Sequence, residues 1–387
     1  MIVLAWIIVI TLLLLALAVA ALAVSNARAA RQVEKALPPL GSFIDIDGSR
    51  IHYLDRGSGP TILCIHGLAG QMRHFTYALL DKLKSDYRVV IVDRPGSGYS
   101  ARPPQASAAI FAQARTLAKF TEALRLERPL VVGHSLGGAI ALALALNHPE
   151  RVGGLALLAP LTHPQDELSP VFRGLSIRSP LMRWIMAWTL AIPLSIRNAA
   201  TVLDAVFGPQ PVPADFGTKG GALLGLRPGA VITASADLVA VPEDLEAMPG
   251  RYNRLTQPVG ILFGAGDRIL NPAAHGEALA AKLPGADLEL IEGEGHMVLI
   301  CSAERSATFI ARMAKRVAAA EAKLAPVAYN VMMKGRDRAF APCRRDTSND
   351  AGIFRRDHRR WRAVRHRRRL SPADPLPPQV LRHSREP

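Results

Sequence analysis

Residues 131–138 read VVGHSLGG, and Ser135 sits between glycines where an apolar run gives way to the helix-forming stretch AIALALALNHPE. A serine at a strand-to-helix turn is lifted clear of its neighbours. The following helix directs unpaired backbone N–H groups and a positive dipole end toward it. The hydroxyl is a weak nucleophile until a base takes its proton, and that base is usually a histidine held by a carboxylate. His296 in LELIEGEGHMVLI is the candidate base, and Asp267 in ILFGAGDRILNP is the candidate carboxylate. Asp267 follows a short apolar run and a small-residue turn, and His296 follows a short apolar run and the turn Glu292–Gly295. Asp237, Asp244 and His275 are weaker substitutes.

Acyl chemistry also needs donors for the oxygen that becomes negative. The backbone N–H of Leu136, directly after the serine, is one candidate. The N–H of Leu68, in the turn His66-Gly67-Leu68-Ala69-Gly70, is the other. His66 reads as a brace of that turn. His134, adjacent to the serine at a sharp turn, reads as a structural or pocket-lining residue. No Walker lysine, dinucleotide glycine fingerprint or dense Cys/His cluster occurs, so the chemistry requires neither a metal nor an organic cofactor. The cysteines at 64, 301 and 343 form no spaced motif; Cys64 lies in an apolar run and reads as core.

These residues need a frame. Short apolar runs occur at Phe43–Ile46, Ile51–Tyr53, Thr61–Ile65, Arg88–Val92, Leu130–Val132, Leu155–Leu158, Pro258–Phe263 and Leu288–Ile291. Helical spacing lies between them at 75–84, 108–125, 136–147, 274–283 and 302–323. Asp47-Gly48 reads as a hairpin turn. Strands alternating with helices predict a mainly parallel α/β sheet covered on both faces, with its site beyond the carboxyl ends of the strands. His66, Asp93, Ser135, Asp267 and His296 all fall at or just past such ends.

The remaining chain divides by composition. Residues 1–24 carry no charged side chain and read as a transmembrane anchor, with a cleaved signal peptide as the rival. Residues 25–42 are a linker. Arg28, Arg31 and Lys35 place the following domain in the cytoplasm by the positive-inside tendency, with the periplasm as the alternative. Residues 43–160 and 251–325 form the two parts of a core. Residues 161–250 break the strand rhythm and read as an inserted helical lid. Within the lid, Leu181–Leu194 carries Met182, Trp184, Ile185, Met186 and Trp188 and is too short for a clear span. That segment is suited to lining an acyl pocket, resting on a bilayer surface or packing on the core.

The formal net charge of +15 is concentrated in the tail. Residues 330–387 hold sixteen Lys or Arg against six Asp or Glu. The segment 326–387 reads as a basic, disordered tail able to meet polyanions electrostatically, without specific nucleic-acid recognition.

The motifs HGLAG at 66–70, DRPGSGYS at 93–100, GHSLGG at 133–138, GAGD at 264–267 and GHM at 295–297 resemble those of the α/β-hydrolase superfamily. The resemblance covers roughly residues 43–315 and is to the lidded serine branch of esterases, carbon–carbon bond hydrolases and haloperoxidase-like enzymes. It implies an eight-stranded, mostly parallel sheet, a lid after the sixth strand and the triad Ser135, Asp267 and His296. The chemistry expected is hydrolysis of a carboxylic ester or related apolar acyl compound through an acyl-enzyme. The same triad would serve a carbon–carbon bond hydrolase or an acyltransferase. A membrane-tethered binding protein with an idle serine turn is the reading from a different class.

Overall fold

A computed structural model describes residues 1–165 and 167–339, with side chains through residue 323. The eight strands are β1 (Ser42–Ile46), β2 (Ser49–Arg56), β3 (Thr61–Ile65), β4 (Arg88–Val92), β5 (Leu130–His134), β6 (Gly154–Leu158), β7 (Val259–Gly264) and β8 (Asp287–Ile291). They form one sheet in the order β1-β2-β4-β3-β5-β6-β7-β8. β1 and β2 are antiparallel to their neighbours, and every pair from β4 to β8 is parallel. Ile46 faces Ser49 across a two-residue turn, and Asp47 and Gly48 both have positive φ, as a primed hairpin turn demands.

The central strands are apolar at nearly every position because both faces are covered. Leu63, Ile65, Val131, Leu155, Leu157 and Ile261 point into one core layer, beneath helices Ile110–Ala123 and Leu136–Asn147. Their neighbours Ile62, Cys64, Val132, Ala156, Leu158 and Leu262 point into the other, with Phe309, Ile310 and Met313 of helix Ala303–Ala339. The two-residue alternation of a strand thus feeds two cores.

Three elements differ from their sequence expectations. The stretch 75–84 is two short helices, Arg73–Thr76 and Leu80–Leu83. The N-terminal helix runs from Ile2 to Ala36, past residue 24, because its alanine- and arginine-rich continuation is itself helix-forming. Helix Ala303–Ala339 likewise passes residue 325, carried by Ala318–Lys323. The expected disorder of the tail lies, for residues 340–387, outside the described residues.

Between β6 and β7 the chain forms helices Pro180–Trp188, Ala191–Phe207 and Pro228–Leu245, with short 3₁₀ turns between them. The N-terminal helix is long and apolar enough to cross a membrane, and none of its most apolar window is buried in protein. In water, each exposed Leu, Ile or Val there would forgo about 1.5–3 kcal/mol of burial.

Candidate active site

The end of β5 sets the geometry. Ser135 has φ 54° and ψ −122°, a conformation an L-residue other than glycine adopts at a cost of roughly 1–3 kcal/mol. Neighbouring backbone holds it there. Its N–H donates to Leu158 O at 3.1 Å, and its carbonyl accepts from the N–H groups of Gly138 at 2.8 Å and Leu161 at 3.0 Å. The turn works only because other segments of the chain pass very close. A Cβ on Gly137 would lie 2.2 Å from Ile65 O, and one on Gly67 would lie 2.9 Å from Ser135 Cβ. The second contact brings the turn His66–Gly70, and with it Leu68, against the serine.

His296 and Asp267 come from the turns after β8 and β7. Asp267 Oδ2 accepts from His296 Nδ1 at 2.7 Å. Its Oδ1 accepts the N–H groups of Ile269 at 2.7 Å and Leu270 at 3.0 Å. Both side chains are buried. With Nδ1 committed to the carboxylate, Nε2 is the nitrogen left to receive a proton. His134 ties this turn to the elbow. Its Nε2–H donates to the His296 carbonyl at 3.1 Å, and the two rings lie 4.9 Å apart. Among the described residues, Ser135 makes no direct hydrogen bond to His296. Bonds of this type are often long without substrate and tighten in its complex.

Two other candidate histidines, His66 and His275, are committed to structural bonds. His66 Nε2 accepts from the Arg94 N–H at 3.0 Å, so its Nδ1 carries the proton it donates to Gly67 O at 2.9 Å. Burial, with the Arg94 charge beside it, holds His66 well below the ordinary histidine range. Burial and the neighbouring His296 do the same to His134. His275 Nδ1 accepts from the N–H groups of Thr162 and His163, both at 3.3 Å, and burial pushes its pKa down to about 4. Asp244 accepts from the Phe111 N–H at 2.6 Å and is thereby committed. Among the described residues, no group of three or more His, Cys, Asp or Glu is arranged to hold a metal ion.

Sequence reasoning missed a buried brace behind the turn at 66–70. Arg94 has no exposed side-chain surface. Its guanidinium donates to the carbonyls of His66 and Gly67, both at 3.0 Å, and to Gln113 Oε1 and Asp237 Oδ2, both at 2.7 Å. Asp237, on helix Pro228–Leu245, also binds Arg102 at 2.6 Å. Fixing two carbonyls of a turn fixes the direction of its N–H groups. The available signals were an arginine directly after the strand-end Asp93 and a lone aspartate in the apolar helix sequence ASADLVAV.

The lid segment Leu181–Ile185 faces outward. Leu181 is 68% and Trp184 55% exposed, while Ala187 behind them is buried. The segment's apolar side chains point away from the protein interior.

Comparison with known proteins agrees with this fold. A family model described as alpha/beta hydrolase fold matches residues 60–180. The chain is 31% identical over 265 residues to the dihydrolipoyllysine-residue acetyltransferase component of the acetoin cleaving system of Cupriavidus necator, covering 66% of this chain and 64% of that protein. It is 28% identical to a 2-hydroxy-6-oxononadienedioate/2-hydroxy-6-oxononatrienedioate hydrolase of Burkholderia vietnamiensis, covering 66% and 88% of the two chains. The crystal structure of a bacterial membrane phospholipase A superposes with a TM-score of 0.57 at 25% identity, covering 81% of this chain and 99% of that one. Fold, serine turn and relatives concur: the chain belongs to the α/β-hydrolase fold family and is a hydrolase.

Proposed function

We propose that this hydrolase cleaves a carboxylic ester or related acyl compound through an acyl-enzyme formed on Ser135. The observation that carries the reading is the buried Asp267–His296 pair, 2.7 Å apart, tied through His134 to the strained serine turn. His296 Nε2 takes the Ser135 proton as Oγ attacks the carbonyl carbon. Asp267 keeps the other ring nitrogen protonated and stabilises the imidazolium. The N–H groups of Leu68 and Leu136 receive the oxyanion, and Gly67's contact with Ser135 supports that assignment. His296 then protonates the leaving group, deprotonates a water that attacks the acyl carbon, and returns the proton to Ser135.

The N-terminal helix anchors the chain as a single span, and Arg28, Arg31 and Lys35 after it favour a cytoplasmic catalytic domain. The similarity to a membrane phospholipase A supports an apolar acyl substrate of bilayer origin. Transfer of the acyl group to an alcohol or amine in place of water would use the same groups. A panel of esters and thioesters of graded chain length, assayed with wild type and Ser135→Ala, tests the reading. Turnover of long-chain esters that vanishes in Ser135→Ala is expected; equal turnover by both proteins would overturn it. Anchoring is checked by membrane partition that survives high salt and alkaline wash.

A further inference from the structure

Every large hydrophobic side chain that is exposed among the described residues lies in one of two places. One is the N-terminal helix, from Met1 to Val24. The other is the helix pair Pro180–Trp188 and Ala191–Phe207, where Leu181, Met182, Trp184, Leu190, Leu194 and Ile196 are among those exposed. The pair is bent by 77°. Its inner face is not free, since Ala187, Ile192 and Phe207 are buried in the protein.

Among the described residues, one side chain hydrogen-bonds between these two places. Asn26 is 3% exposed, and its Nδ2 donates to the carbonyls of Trp188 and Thr189, both at 2.9 Å. Those carbonyls stand at the end of helix Pro180–Trp188, where no further turn of that helix can satisfy them. Asn26 follows the apolar stretch by two residues, about 3 Å along the helix axis. The next polar tie, Glu34 to Arg227 at 3.4 Å, lies two turns further from that stretch. The bend at Thr189 is thus held level with the end of the apolar stretch.

We propose that the bent helix pair is a second membrane contact, seated in the interface of the leaflet from which the N-terminal helix emerges and held at that depth by Asn26. This rests on the reading of the N-terminal helix as a membrane span. A nine-residue helix rises about 14 Å and cannot cross a core of about 30 Å. With its inner face packed on protein, it lies along the surface instead. Trp184 and Trp188, with ring centroids 6.3 Å apart, suit the headgroup boundary. Exposed Arg178 and Arg197 flank the apolar face, and exposed Arg28 and Arg31 follow the anchor, where lipid phosphates would meet them.

The test uses the full chain in vesicles of phosphatidylcholine and phosphatidylglycerol with brominated acyl chains. Two variants retain one tryptophan each, Trp6 or Trp184, the others being changed to phenylalanine. Hydrolysis of a short soluble ester confirms that each is folded. Ile196→Trp in a tryptophan-free background replaces the Trp184 reporter if that variant does not fold. Both reporters should lose emission to brominated lipid, and Asn26→Leu should weaken the quenching of Trp184 while leaving that of Trp6. Quenching of Trp6 without Trp184 would overturn the seat and leave the anchor standing. Quenching of neither would overturn the anchor and the seat with it. Shielding of Trp184 from both lipid bromine and aqueous acrylamide would mean a second copy covers this face, and would also overturn the proposal. Unchanged Trp184 quenching in Asn26→Leu would remove Asn26 from its role.

Discussion

Two buried histidine–aspartate pairs lie in this fold, both with Nδ1 to Oδ2 at 2.7 Å, and only one has the surroundings for catalysis. His52 and Asp93 are 1% exposed, and Asp93 also accepts from the N–H groups of Met72 at 2.7 Å and Tyr99 at 2.8 Å. His52 belongs to the antiparallel strand β2, and its Nε2 is buried without a partner. That pair holds a strand to a loop. His296 and Asp267 lie in turns beyond the parallel strands, tied by His134 to the serine turn. A short His–Asp distance is therefore not a signature of chemistry. Both pairs lie toward the carboxyl ends of the parallel strands, so what separates them is the element each imidazole belongs to and what stands next to its free ring nitrogen.

Breaking each pair should give opposite phenotypes. Asp267→Asn should lower kcat for ester hydrolysis by about 10⁴-fold, with an unfolding midpoint near wild type. Asp93→Ala should leave kcat of the folded protein within about tenfold but cost about 3–5 kcal/mol by denaturant unfolding, because buried donors lose their acceptor. Equal loss of kcat in the two variants would dissolve the distinction. Arg94→Met sits between them. It should cost stability on a similar scale, because Asp237 and two turn carbonyls lose a buried partner, and should lower kcat by about 10²-fold with KM little changed, as the turn proposed to hold the oxyanion loosens.

The buried histidines sharpen the contrast through pH. Burial lowers His74 and His275 to about 4, and His66 and His134 lie well below the usual range. Their folded pKa values lie under the unfolded value of about 6.5, so the unfolded chain takes protons first as pH falls. Stability is full above about pH 6.5 and is lost toward pH 4, with each such group contributing roughly 1.4 kcal/mol per pH unit. Urea midpoints across this window should fall, and His74→Gln should flatten the slope. The smallest effect expected is at the elbow. Ser135→Gly should be about 1 kcal/mol more stable than Ser135→Ala, since glycine accepts φ 54° without strain.

How far the sequence reaches follows from the range of each interaction. The strands from Thr61–Ile65 to Val259–Gly264 were readable because a strand covered on both faces is a continuous apolar run between turns. The order Ser135, Asp267, His296 was readable because each follows such a run. Arg94–Asp237 was not, because it joins residues 143 positions apart that carry no local pattern. Asn26, 162 positions from its partner, was hidden for the same reason. The outward face of Leu181–Ile185 could not be read either. Periodicity reports that a helix has an apolar side, not whether protein or solvent meets it.

The account stands on Ser135 being the activated nucleophile, and active-site labelling with intact-mass measurement tests that most directly. Full-length protein treated with an alkyl fluorophosphonate should gain the mass of one phosphonyl group on Ser135, with parallel loss of esterase activity. Ser135→Ala should gain none, and His296→Gln should label slowly. Stoichiometric labelling that persists in Ser135→Ala, or folded wild-type protein that stays unlabelled, would contradict the account.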